Sequence, residues 1–106
     1  MVYVRTYEAE SLTRAQLDAL PGLWVVEFGA NWCGYCIAAQ PDIEAELAEV
    51  PHISHMKVED GPGRPLGRSF RVKLWPTLIV LKDGKEIGRV VRPASREAIR
   101  SVLPTT

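Results

Sequence analysis

An α/β fold, with a mixed central sheet of about five strands flanked by helices on both faces, is what this sequence predicts, and three observations carry the prediction. Leu23-Trp24-Val25-Val26-Glu27-Phe28 is an almost wholly apolar run, the pattern of a strand buried on both faces. A long helical stripe follows it, with Ala39, Ile43, Leu47 and Val50 on one side. Asp83-Gly84 then marks a two-residue hairpin between two further strand patterns, so part of the sheet is antiparallel.

Taken in order, Val2 to Tyr7 is rich in β-branched and aromatic residues and reads as a first short strand. Thr13 with Gln16 three residues later forms a capping box, and the helix that it starts, with Leu17 and Leu20 inward, ends at Pro21-Gly22. After the apolar strand, Gly29 to Trp32 connects to a helix running from about Cys33 to Glu49, with Pro41 inside it as an expected kink. His52 to Val58 is a strand, and the turn-rich Glu59 to Pro65 leads to a short helix around Leu66 to Phe70. Thr77 to Leu81 and Glu86 to Val91 are the hairpin strands, and Ser95 caps a last helix with Ala98, Ile99, Val102 and Leu103 inward. The order βαβαβ, short helix, ββα calls for right-handed crossovers in the middle.

The 106 residues fit one compact domain, 1–106, with no linker, repeat or low-complexity segment. No run approaches the roughly 18 apolar residues that span a bilayer, and the N-terminus lacks the features of a secretory signal, so a cytoplasmic, non-membrane protein is expected. The formal charge is zero but unevenly spread. Residues 1–60 hold 3 basic and 10 acidic side chains, a charge of −7, and residues 61–106 hold 10 basic and 3 acidic, a charge of +7. That polarity suits steering of an acidic protein partner towards the C-terminal half, unless it is no more than solvated surface. Nucleic acid is not expected, because the arginines are not interleaved with stacking aromatics.

The chain has two cysteines, Cys33 and Cys36, separated by Gly34 and Tyr35. Such a pair is a redox couple, half of a zinc site, or coincidence. Zinc would need His52 and His55 as further ligands, and these point to opposite faces of a strand, so no metal is expected. Cys33 falls where a buried strand hands over to a helix, facing unpaired N–H groups and the positive end of the helix dipole. That environment lowers a thiol pKa, to about 3.5–7.5 in comparable motifs. Cys33 is therefore the expected nucleophile. Cys36, one turn further in, is the expected resolving thiol, and Gly34 keeps the turn between them open.

Glu27 is out of place in its apolar strand. Burial would raise its pKa towards neutrality, which suits a proton acceptor for Cys36; the alternative is a strand-edge Glu whose tip reaches water. A buried carboxylate needs a partner, and Lys57 is the candidate. His52 and His55 are expected to be packing or surface residues.

Val25 to Cys36, containing Trp32-Cys33-Gly34-Tyr35-Cys36, resembles the active-site stretch of the thioredoxin family. The likeness extends over nearly the whole chain: Pro41 matches the family's kink proline, Lys57 its strand lysine, Trp75-Pro76-Thr77-Leu78 its cis-proline loop and Asp83-Gly84 its hairpin. The resemblance implies a thioredoxin fold and a thiol–disulfide oxidoreductase that reduces protein disulfides through a mixed disulfide on Cys33. It implies no cofactor beyond the redox-active disulfide Cys33–Cys36, disulfide-containing proteins as substrates, an electron donor of the thioredoxin-reductase type, and a monomer. It also implies that Pro76 is cis, packs against the cysteines and presents the backbone of Trp75 to an extended substrate.

Departures from the family pattern bear on the partners. Tyr35 stands in place of proline, giving a Cys-Gly-Tyr-Cys similar to that of periplasmic disulfide isomerases, so a more oxidising oxidase or isomerase is an alternative. Glu27 replaces an aspartate, Leu74 and Arg92 replace glycines, Ile37 replaces a basic residue, and Trp75 replaces a smaller apolar one. With Trp32, Tyr35 and Lys73, these suggest a docking surface with flat apolar contact and positive charge, or a binding and assembly module that has kept the fold. The plainer reading of Trp75 is that it packs on Trp32.

Overall fold

The computed structural model describes residues 3–104. In chain order the elements are α1 (Arg14–Asp18), β1 (Leu23–Gly29), α2 (Gly34–Leu47), β2 (Ser54–Glu59), α3 (Pro65–Ser69), β3 (Thr77–Lys82), β4 (Lys85–Val91) and α4 (Arg96–Arg100). The sheet order is β2-β1-β3-β4, with β1 parallel to β2 and antiparallel to β3, and β3 antiparallel to β4. This is the mixed α/β sheet expected, with four strands in place of about five.

The missing strand is the first. Val2 lies outside the described residues, and from Tyr3 to Tyr7 no ladder forms; pairing is confined to a single bridge between Glu8 and Val58. The β propensity of this segment is overridden because side chains take up its backbone groups. Val4 N–H donates to His55 Nδ1 (3.0 Å), Lys57 Nζ donates to the Arg5 carbonyl (2.9 Å), and Asn31 holds both the N–H and the carbonyl of Tyr7 (2.8 and 3.1 Å).

Elsewhere local chemistry forms the elements as read. Thr13 and Gln16 make the reciprocal capping box of α1. Ser95 Oγ accepts the Ala98 N–H to start α4. Asp83 and Gly84, with φ of 50° and 80°, take the left-handed conformations that a tight hairpin requires. α2 runs unbroken past Pro41.

β1 and β3 are buried on both faces. Val25, Leu78 and Val80 pack under α2 and α4 with Ile43, Leu47 and Ile99, whereas Val26, Phe28, Ile79 and Leu81 pack under α1 and α3 with Leu17, Leu66 and Phe70. Alternation along β1 puts Glu27 on the α2 side with Val25. Its parallel neighbour is Lys57, two residues from His55, so both of those side chains share that face. Among the described residues, no helix is long and apolar enough to cross a membrane.

Candidate active site

Cys33 is the N-cap of α2, and its Sγ accepts the Cys36 backbone N–H at 3.2 Å. Gly34 opens the helix with no atom near the space a Cβ would fill. Both thiols are free and both residues are buried, with Cys33 6% and Cys36 1% exposed, so Cys33 is the more open of the two. Burial first, and then the hydrogen bond with Cys33, push the Cys36 thiol up to about 12. The two cysteines pack with Tyr7 and Ala30, and Trp75 closes over this cluster.

Glu27 is fully buried beneath them. Its Oε1 receives His55 Nε2 at 2.9 Å, and its Oε2 receives Gln40 Nε2 at 2.8 Å and the Tyr7 hydroxyl. Burial would raise its pKa, but the hydrogen bonds from His55, Tyr7 and Gln40 outweigh it, so the carboxyl is held below its ordinary range. The expected rise towards neutrality is thus corrected. Desolvation is present as anticipated, and three converging donors overcome it.

Lys57 faces Glu27 and feels its charge without bonding to it. It is buried and lies opposite Glu27 in the β1/β2 register. Yet its ammonium donates to Gln40 Oε1 (2.8 Å) and the Arg5 carbonyl (2.9 Å), not to Glu27. Gln40 stands between the two, donating to Glu27 and to the Cys36 carbonyl (2.8 Å) while accepting from Lys57. Burial lowers the Lys57 pKa against the opposing pull of the Glu27 charge.

The ring hydrogen-bonded to Glu27 is His55, which the sequence reading left among packing or surface residues; His52 is exposed. Tyr7, Gln40 and His55 are the site residues that reading missed. Two of them carried a signal: Gln40 follows Cys36 by four residues on one helix face, and His55 precedes Lys57 by two on one strand face. Tyr7 carried none, since its place depends on the non-ladder path of the N-terminal segment.

The Trp75–Pro76 peptide bond is cis, and Pro76 is buried. Trp75 meets Trp32 edge to face at 5.6 Å and donates its indole N–H to Asp60 Oδ2 at 2.9 Å. The plainer reading, packing on Trp32, therefore holds for the Trp75 ring. Trp32 itself is 75% exposed, Tyr35 and Ile37 are exposed near it in sequence, and Leu74 is exposed next to Trp75. Arg92, at φ 47°, holds the left-handed conformation that suits a glycine position. Its guanidinium lies 3.9 Å from the Tyr35 ring centre, and its Nε donates to the Trp75 carbonyl at 2.9 Å. The charge asymmetry along the chain is partly met inside the fold, where Glu46 receives Arg96 and Arg100.

The sequence model of the thioredoxin family matches residues 6–105. The chain belongs to the thioredoxin family. It is 40% identical over 83 residues to a thioredoxin of Chlamydia trachomatis, covering 77% of this chain and 80% of that one. It is 36% identical over 81 residues to a thioredoxin of Echinococcus granulosus, covering 76% and 75%. Among solved structures it resembles thioredoxin 2 of Pseudomonas aeruginosa in its reduced form, with a TM-score of 0.83 and 52% identity over 92% of this chain and 90% of that one. The fold is the thioredoxin fold, and the protein is a dithiol thiol–disulfide oxidoreductase, a protein-disulfide reductase. Thioredoxins use their own redox-active disulfide and need no cofactor. The family points to disulfide-containing proteins as substrates and to thioredoxin reductase as donor. An oxidase, an isomerase and an assembly module are not favoured.

Proposed function

We propose that the chain acts as one monomeric unit in the cytoplasm, with Cys33 attacking a protein disulfide, Cys36 releasing the reduced product and Glu27 accepting the Cys36 proton. The observation that carries the division of labour is the unequal placing of the thiols. Cys33 caps the helix and is the more open, whereas Cys36 is covered and its proton is tightly held. A covered thiol of that kind attacks only as its proton leaves, and Glu27, ionised and on the same buried face, is the carboxylate placed to receive it, though a weaker base than an ordinary one. Lys57 supports Glu27 through Gln40 rather than by direct pairing.

Substrate docks on Trp32, Gly34, Tyr35, Trp75 and Pro76, with Arg92 at the rim favouring acidic partners. A reductase of the thioredoxin-reductase type resets the disulfide. Cys36→Ser tests this reading, because it strands the mixed disulfide. Substrate proteins should remain covalently attached to Cys33 in that variant and be absent from Cys33→Ser; adducts on Cys36 instead would reverse the roles. For the acceptor, Glu27→Ala should slow product release more than mixed-disulfide formation, and equal slowing of both steps would remove the assignment.

A further inference from the structure

Tyr7 lies between the two groups that must exchange a proton. Its hydroxyl donates to Glu27 Oε2, and the Cys36 sulfur packs in the same cluster, against the hydroxyl end of the Tyr7 ring. Among the described residues the Cys36 side chain packs with Cys33, Ala30 and Tyr7, and Glu27 makes no hydrogen bond with it. Gly29, at the end of β1, makes the meeting possible. A Cβ there would come 2.7 Å from both Cys36 Sγ and the Tyr7 hydroxyl oxygen.

The position of Tyr7 is built, not incidental. Asn31, two residues before Cys33, clamps its backbone on both sides, Lys57 Nζ lies 4.4 Å from its ring centre, and the side chain is buried. The titratable groups facing this point are Glu27, Cys36, Cys33 and Lys57, with His55 behind Glu27.

We propose that Tyr7 is a proton relay: Cys36 reaches the Glu27 carboxylate through the Tyr7 hydroxyl. The step rests on Glu27 as the acceptor. As Cys36 attacks, its S–H proton passes to the Tyr7 oxygen while the Tyr7 O–H proton passes to Glu27 Oε2. The Cys36 sulfur pair forms the Cys33–Cys36 bond, the bond from Cys33 to substrate breaks, and substrate leaves as a thiolate. The substrate disulfide has then gained two electrons and the dithiol has lost them. Tyr7 ends as the neutral phenol it began as, and Glu27 holds the proton. Burial, followed by the Glu27 charge, pushes the Tyr7 pKa far above its ordinary range, so the ring hands on a proton without dwelling as phenolate.

Stopped-flow reaction with a peptide disulfide separates the two steps, since mixed-disulfide formation scales with peptide concentration and release does not. Tyr7→Phe keeps the ring and should leave formation within about twofold while slowing release about tenfold or more, within the range that a positioned proton-transfer group supplies. Glu27→Gln should slow the same step, and the double variant should be no slower than the slower single one, because both break one path. If Glu27→Gln is slow and Tyr7→Phe is not, the relay fails and the acceptor stands; if neither is slow, both fail. Effects that multiply in the double variant also overturn the relay. Wild-type release in mixtures of light and heavy water gives a reading independent of any variant's folding. A curved dependence on deuterium fraction, from two protons in flight, supports the relay, and a linear one refutes it.

Discussion

His55 donates from Nε2 to Glu27 Oε1 at 2.9 Å, because its other ring nitrogen, Nδ1, accepts the Val4 N–H at 3.0 Å. A backbone N–H can only donate, so Nδ1 carries no proton and the neutral ring has its hydrogen on Nε2. Three donors, His55, Tyr7 and Gln40, therefore converge on one carboxyl group, and only its ionised form satisfies them all.

From this follows a pH dependence of stability. The folded-state pKa of Glu27 lies below the unfolded value of about 4.3, so its carboxylate stabilises the fold above that pH. The contribution fades as pH falls through the lower folded-state value. Glu27→Gln turns an amide N–H towards donors and should lose about 1–3 kcal/mol at pH 7. Urea unfolding of both proteins from pH 7 to pH 2 should show the gap closing on the acid side, and a gap independent of pH would contradict the assignment.

Gly29→Ala should damage fold and chemistry together. The new methyl would press on Cys36 Sγ and the Tyr7 ring, neither of which has free space. Overpacking of this kind costs about 1–3 kcal/mol, visible as a lower urea midpoint. Release of substrate should slow beyond what the lost stability explains.

Arg92→Gly should leave stability nearly unchanged, because relief of the left-handed backbone, about 1 kcal/mol, is offset by the lost contact with Tyr35, about 0.5–1 kcal/mol. Activity should separate by substrate charge. Acidic peptide disulfides should lose about two- to fivefold in kcat/KM, the scale of one rim charge, and neutral peptides should gain from the freed Trp75 carbonyl. The difference should vanish in high salt.

The sheet, the dithiol, the caps and the hairpin were legible because each rests on contacts a few residues apart or on an unmistakable apolar run. Thr13, Ser95 and Asp83-Gly84 set their own local geometry, and Cys33 becomes an N-cap wherever β1 ends. The surroundings of Glu27 were legible only in outline. The odd carboxylate announced a site, but its pKa depends on donors 20 and 28 residues away in sequence, Tyr7 and His55. Lys57 was assigned to Glu27 because the residue types match. Gln40 intervened, and a side chain on a different element decides such pairings. The first strand failed for the same reason, its residues favouring β structure while side chains supplied the partners.

The path of Tyr3 to Tyr7 sets a clock for the site. Held by Gln40, His55, Lys57 and Asn31 rather than by a ladder, this strap can lift without melting the sheet. On the proposed mechanism a proton taken by Glu27 returns to bulk water from beneath this strap. Amide exchange at Val4 and Tyr7 should therefore outpace exchange in β1 and β3, and equal protection would show that the strap opens only with the whole fold.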